Sequence, residues 1–127
     1  MAGIPKIYVA DDHEPVRQAL VARLSGGPGL AVIGETGDYE QTLAEVAALR
    51  PDVLVVDPKR SDGRGLELLH RLAQLPMPAR LILLTSYRTD LEEWEALRLG
   101  AVAYVLKDLG TDALEAEIRR AFAQSGA

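Results

Sequence analysis

Four apolar runs in this 127-residue chain each end in a side chain capable of chemistry. Ile7-Tyr8-Val9-Ala10 leads into Asp11 and Asp12, Val53-Leu54-Val55-Val56 into Asp57, Leu81-Ile82-Leu83-Leu84 into Thr85, and Val102-Ala103-Tyr104-Val105-Leu106 into Lys107. If these runs are neighbouring parallel strands, three carboxylates, a hydroxyl and an ammonium share the sheet edge at which open α/β folds bind ligands. Carboxylates so placed repel one another; a pair about 4 Å apart costs roughly 4 kcal/mol at an effective dielectric of about 20. The cluster must therefore hold protons or a cation. Oxygen ligands with open coordination positions suit Mg²⁺, which keeps waters and accepts phosphate oxygens.

The segments between the runs have helical period, and alternation of strand and helix predicts a parallel sheet covered on both faces. Strands are expected near residues 6–11, 30–34, 53–57, 80–85 and 102–106. Val16, Leu20 and Leu24 form an apolar stripe on the first helix, which the Gly26-Gly27-Pro28-Gly29 cluster should stop. Leu43, Val46 and Ala47 mark the second helix, ended ahead of Pro51 because a residue before proline avoids the helical region. The third carries Leu66, Leu69 and Ala73 and then meets Pro76 and Pro78. Thr89 with Glu92 reads as a capping box for a fourth helix bearing Leu91, Trp94 and Leu97 and stopping at Gly100. Thr111 and Asp112 are candidate caps for a fifth, with Leu114, Ile118, Ala121 and Phe122 inward.

Length suits one domain with a real core, and an apolar content of 48% with 26% charged residues is the balance of a globular protein. The formal charge of −5 argues against the whole surface being a nonspecific nucleic-acid binder. The absence of cysteine removes disulfides and thiolate metal sites and allows a reducing cytoplasm. No run is long enough to span a membrane, and Met1-Ala2-Gly3-Ile4-Pro5-Lys6 lacks a secretory apolar core. A cytoplasmic location is the expectation.

The ordered set Asp11-Asp12, Asp57, Thr85 and Lys107 resembles the five-residue signature of the receiver domain of bacterial two-component response regulators, over essentially the whole chain. The resemblance implies a flavodoxin-like, doubly wound, five-stranded parallel sheet of order 2-1-3-4-5 with five helices, as a single domain over residues 1–127. By that resemblance Asp12 and Asp57 ligate Mg²⁺ directly, Asp11 acts through water, and the backbone carbonyl of Lys59 completes the protein's share. Asp57 is the expected nucleophile toward a phosphohistidine of a sensor histidine kinase. Lys107 and Thr85 would bind phosphoryl oxygens, helped by the amides of Lys59 and Ser86. Pro58, lacking an amide hydrogen, sits where the family pattern requires none. Thr85 and Tyr104 form the expected switch, altering the surface of the fourth helix, fifth strand and fifth helix. Lys59 and Tyr87, two beyond Asp57 and Thr85, are expected to shape the lifetime of the phosphoryl group. The resemblance implies a signalling domain that assists its own phosphorylation and dephosphorylation, not a turnover enzyme. Asp11-Asp12-His13 followed by Val16-Arg17, and Gly100-Ala101 leading to Tyr104-Val105-Leu106-Lys107-Asp108, are similar to the NarL/FixJ type. That likeness implies transcriptional output through a helix-turn-helix DNA-binding domain outside these residues, and is compatible with a homodimer.

Two departures stand out. Arg60-Ser61 replaces the usual methionine-proline pair, and Arg64 replaces the aspartate that commonly precedes Gly65, so Lys59–Arg64 reads as a basic, mobile loop. It either tunes metal and phosphate affinity or marks a receiver drifting from phosphorylation. Asp108 follows Lys107 where proline is frequent, so a cis peptide is not expected there. His13 reads as structural and His70 as having no role; Trp94 is either an interface anchor or packed. Arg119 and Arg120, beside Glu115 and Glu117, read as a solvated helix face. Competing functions are a stand-alone receiver, a phosphorylation-independent pseudo-receiver, an FMN binder and a haloacid-dehalogenase-like phosphatase. The FMN binder wants a Ser/Thr/Gly-rich loop where Asp11-Asp12 stands; the phosphatase wants a second Asp two residues after the first, which Asp11-Asp12-His13-Glu14 does not provide.

Overall fold

A computed structural model describes residues 3–76 and 79–125; Pro78, expected beyond the third helix, lies outside them. Five strands and five helices alternate: β1 (Lys6–Ala10), α1 (Glu14–Ser25), β2 (Ala31–Thr36), α2 (Tyr39–Leu49), β3 (Val53–Val56), α3 (Gly65–Ala73), β4 (Arg80–Thr85), α4 (Asp90–Arg98), β5 (Ala103–Leu106) and α5 (Thr111–Ser125). All pairings are parallel and the order is β2-β1-β3-β4-β5, the doubly wound arrangement expected. β2 extends two residues past its expected end, while β1 and β3 stop just before Asp11 and Asp57.

Alternation along each strand divides the core into two layers. Ile7, Val9, Val53, Val55, Ile82 and Leu84 face α1 and α5, meeting Leu24, Leu114 and Ile118. Tyr8, Leu54, Val56 and Leu83 face the other way, toward Leu43 and Val46 of α2, Leu68, Leu69 and Leu72 of α3, and Ala96 of α4. α5 carries its apolar stripe inward as expected, with Phe122 packed at the margin.

Four other stripes need correction. Val16 is exposed on α1, Ala47 is exposed on α2 where Tyr39 and Thr42 are buried instead, and Ala73 is exposed on α3. On α4 the whole stripe of Leu91, Trp94 and Leu97 faces outward, leaving Ala96 as its fully buried residue. The reason on α4 is that the inward face also carries Glu92 and Glu95, whose carboxylates find partners on neighbouring segments, Lys59 and His70. An apolar stripe locates a helix face but does not guarantee that the face is covered.

The boundaries follow local chemistry. α1 runs into Gly26, and α2 closes on Arg50, which takes the left-handed conformation (φ 51°) just ahead of Pro51. Thr89 accepts from the Glu92 amide, but the Glu92 carboxylate reaches elsewhere and Tyr104 Oη accepts from the Thr89 amide, so half of the expected capping box forms. Thr111 and Asp112 lie inside the first turn of α5, where the Asp112 charge suits the helix dipole. Gly65 is required by packing, because a Cβ there would lie 1.6 Å from the Pro58 carbonyl oxygen. No peptide bond is cis among the described residues, Lys107–Asp108 included.

Candidate functional site

The site forms where parallel register brings four strand ends together. Ala10 lies opposite Val56, so Asp11 and Asp57 emerge side by side, and the Asp57 amide donates to the Ala10 carbonyl at 3.0 Å. Thr85 lies opposite Leu106, which sets Lys107 at the start of a short 3₁₀ turn next to β4. Asp57 is 3% exposed and Asp11 2%. Lys107 Nζ donates to both, at 2.6 Å to Asp57 Oδ2 and 2.7 Å to Asp11 Oδ2.

Burial pushes the Asp57 carboxyl above its ordinary range, and the bonds from Lys107 and the Lys59 amide work against that rise. Burial also works to lower the Lys107 ammonium, but its bonds to Asp11 and Asp57 outweigh this and hold it above its usual value. One ammonium thus lies between two buried carboxylates.

Asp12 points into the same pocket. Its Oδ2 accepts from the Ser61 amide at 2.8 Å and the Ser61 hydroxyl at 2.9 Å, while its Oδ1 is buried without a hydrogen-bond partner. A buried carboxylate oxygen without a hydrogen bond is costly and invites a cation. Asp11, Asp12 and His13 each offer a ligand atom, all within 4.8 Å of one another, with Asp57 beside them, and the hard carboxylate oxygens of this group fit Mg²⁺.

His13, read from sequence as structural, enters this cluster. Its Nδ1 lies 2.8 Å from Asp11 Oδ1, 3.5 Å from Asp12 Oδ1 and 3.6 Å from Asp57 Oδ2. Its adjacency to Asp11-Asp12 was the available signal. The loop Lys59–Arg64 is tied down at several points: Ser61 to Asp12, Arg60 to Asp62, Arg64 to Glu67, and the Arg64 guanidinium 3.8 Å from the Tyr39 ring centroid.

Thr85 is fully buried, and its hydroxyl is engaged on both sides. It accepts from Lys59 Nζ at 2.6 Å and donates to the Tyr87 carbonyl at 3.1 Å. Lys59 Nζ also reaches Glu92 Oε1 at 2.5 Å and sits 4.2 Å over the Tyr87 ring. Tyr104 Oη donates to the same Glu92 oxygen at 2.8 Å, and burial first, then Glu92, push the Tyr104 phenol up to about 12 against the bond from the Thr89 amide. The sequence marks the Lys59 side chain only as shaping phosphoryl lifetime and Glu92 only as a helix cap; the contact between their side chains is new. His70, assigned no role, bonds Glu95 at 3.0 Å and ties α3 to α4. Trp94 is solvent-facing with Arg98 stacked on it at 5.1 Å, and Arg119 and Arg120 pair with Glu115 and Glu117.

Comparison with known proteins bears on this arrangement. Residues 7–119 match the family model described as the response regulator receiver domain. The chain is 42% identical over 104 residues to the DNA-binding transcriptional activator DevR/DosR of Mycobacterium tuberculosis, covering 82% of this chain and 48% of that protein. It is 31% identical over 102 residues to the transcriptional regulatory protein LiaR of Bacillus subtilis, covering 80% and 48%. The chain thus spans about half the length of these relatives. Among solved structures, the response regulator domain of Thermotoga maritima CheB superposes with a TM-score of 0.83 at 26% identity, covering 94% of this chain and 97% of that one. A LuxR-family two-component response regulator from Aurantimonas sp. SI85-9A1 gives 0.86 at 25% identity, covering 96% and 87%. No helix among the described residues is long and apolar enough to cross a membrane.

Proposed function

Because this chain belongs to the response regulator receiver family, we propose that it accepts a phosphoryl group on Asp57 from a phosphohistidine of a sensor histidine kinase and converts that charge into a changed surface. The observation that carries the reading is the Lys107 ammonium bonded at once to the two buried carboxylates Asp57 and Asp11, beside an Asp12 Oδ1 that accepts no hydrogen bond. Such a pocket sets a cation directly against a buried nucleophilic carboxylate and has positive charge ready for what arrives.

In this reading a carboxylate oxygen of Asp57 attacks phosphorus in line while the donor's P–N bond breaks and the imidazole nitrogen leaves with the electron pair. Lys107 turns from the carboxylates to a phosphoryl oxygen, keeping a charge-assisted bond throughout. Thr85 donates its hydroxyl to another oxygen once it releases the Tyr87 carbonyl, and the Lys59 and Ser86 amides are further donors. Asp11, Asp12, Asp57 and the Lys59 carbonyl would hold Mg²⁺, which when bound supplies neutralisation of charge on the incoming group. An open, mainly apolar groove of about 340 Å³ between α1 and the start of α5 includes Val16, Leu20 and Lys107 and gives a kinase a surface beside the acceptor. The outcome is a change at α4 and β5 through Thr85 and Tyr104, with transcriptional output through a DNA-binding domain outside these residues, and with a cytoplasmic location.

Mass spectrometry after incubation with acetyl phosphate and Mg²⁺ tests this directly. The parent should gain one phosphoryl group that is labile to hydroxylamine, and Asp57→Asn and the Mg²⁺-free sample should gain none. Equal labelling of parent and Asp57→Asn would remove Asp57 as the acceptor.

A further inference from the structure

We propose that the Lys59 ammonium is the part that carries occupancy of Asp57 to α4, as a latch that closes on Glu92 when Asp57 is bare and leaves it when Asp57 is phosphorylated. The inference rests on the phospho-acceptor reading above and adds a carrier to it. Lys59 is fastened at one end, because its amide donates to Asp57 Oδ1 at 2.8 Å. Its other end crosses to Thr85 Oγ1, Glu92 Oε1 and the Tyr87 ring. One residue therefore touches the acceptor, the switch threonine and the first turn of α4.

The pair is poised between two arrangements rather than merely attractive. Lys59 and Glu92 side chains are only 15% and 13% exposed, and Glu92 Oε1 is shared with the Tyr104 hydroxyl, which in turn takes the Thr89 amide. Removing one partner of a largely buried ion pair leaves an uncompensated charge, so Lys59 and Glu92 tend to move together. A phosphoryl group brings about two negative charges to a carboxylate that the Lys59 backbone already contacts. At equal distance a double charge outcompetes the single charge of Glu92. Once Lys59 leaves, Thr85 loses its cationic donor and is free to turn its hydroxyl to the phosphoryl group. Glu92 then holds only Tyr104 and must seek water, taking the start of α4 and the Tyr104 hydroxyl with it. Lys59 acts here as a positioning residue; its metal-ligating carbonyl belongs to the main chain and survives side-chain substitution.

Fluorotyrosine NMR of the full chain, in which Tyr104 is assigned by comparison with Tyr104→Phe, tests the latch with and without beryllofluoride and Mg²⁺. Without additive, Lys59→Met and Glu92→Gln should each move the Tyr104 resonance, and the double variant should move it no further than the larger single change. Lys59→Arg, which keeps the cation, should stay near the parent. With beryllofluoride the parent resonance should move, Lys59→Met should lose most of that movement, and Glu92→Gln should bind the mimic several-fold more tightly. A Lys59→Met chain whose Tyr104 resonance sits at the parent position without additive, or that shows the full parental movement with it, overturns the latch alone. A parent that does not respond to beryllofluoride overturns the phospho-acceptor reading together with the relay built on it.

Discussion

α4 and α5 both carry apolar residues at helical spacing, yet they are attached to the sheet by different physics. α5 buries Leu114, Ile118 and Ala121 against β3, β4 and β5, so area removed from water holds it. α4 turns Leu91, Trp94 and Leu97 outward, with Leu97 71% exposed, and sends inward Ala96, the edge of Leu99 and two paired glutamates. Apolar burial has no direction and does not respond to charge at a distance. Ion pairs and charge-assisted bonds do respond, so a helix held by them is the one that a new charge on Asp57 can displace. In the proposed switch, the more firmly packed helix is the frame against which the other would move.

The contrast breaks first at stability. Ile118→Ala should cost about 2–5 kcal/mol, as large-to-small core substitutions do, whereas Leu97→Ala should fall within roughly 0.5 kcal/mol, as surface changes do; urea unfolding monitored by circular dichroism measures both. Equal losses would mean that α4 is held by apolar area after all. Ala96→Leu comes next: enlarging the buried α4 residue should cost about 1–3 kcal/mol through overpacking, measured in the same way. A cost near zero would show the helix free to lift without penalty. Native-state hydrogen exchange should then find the amides of α4 opening well before those of α5.

A titration gives a further and smaller test. Burial and Glu92 push the Tyr104 phenol up to about 12, so the folded state resists an ionisation that the unfolded chain undergoes near the ordinary phenol value of 10.0. A raised acid pKa contributes stability that is complete below the unfolded value and is lost as pH climbs toward the folded one. Glu92→Gln should therefore lower the Tyr104 titration seen by ultraviolet absorbance and reduce the loss of stability over that range. The exposed Arg88–Glu93 pair should give the least: Arg88→Ala should change stability through that pair by about 1 kcal/mol or less.

How far the sequence could be read differs between the two ends of each strand's task. Strands buried on both faces announce themselves as apolar runs, and the polar residue ending each run was visible as the place where the chain leaves the core. This is why Asp11, Asp57, Thr85 and Lys107 are legible in the sequence, together with the parallel sheet that aligns them. Helix faces were harder. α5 obeyed its stripe because the sheet beneath it is wide and apolar, while α4 did not because carboxylates paired with Lys59 and His70 took its inner face. Lys59 is legible as a site position, Glu92 as a helix cap and His13 as structural, but their side-chain partners lie far off or in a fold-dependent pocket: Thr85 is 26 residues from Lys59 and Glu92 is 33.

The order of strands and helices, their parallel pairing and the edge at which the reactive residues collect follow from periodicity, since burial on two faces leaves a local trace in every segment. Which charges meet is another matter. Lys107 between Asp11 and Asp57, His13 among the carboxylates, and Lys59 reaching across to Glu92 depend on side-chain directions a few ångströms apart on separate elements. Those pairings become visible when the chain is folded, because electrostatic partnership is a property of distance in space and is not encoded in the pattern of any one segment.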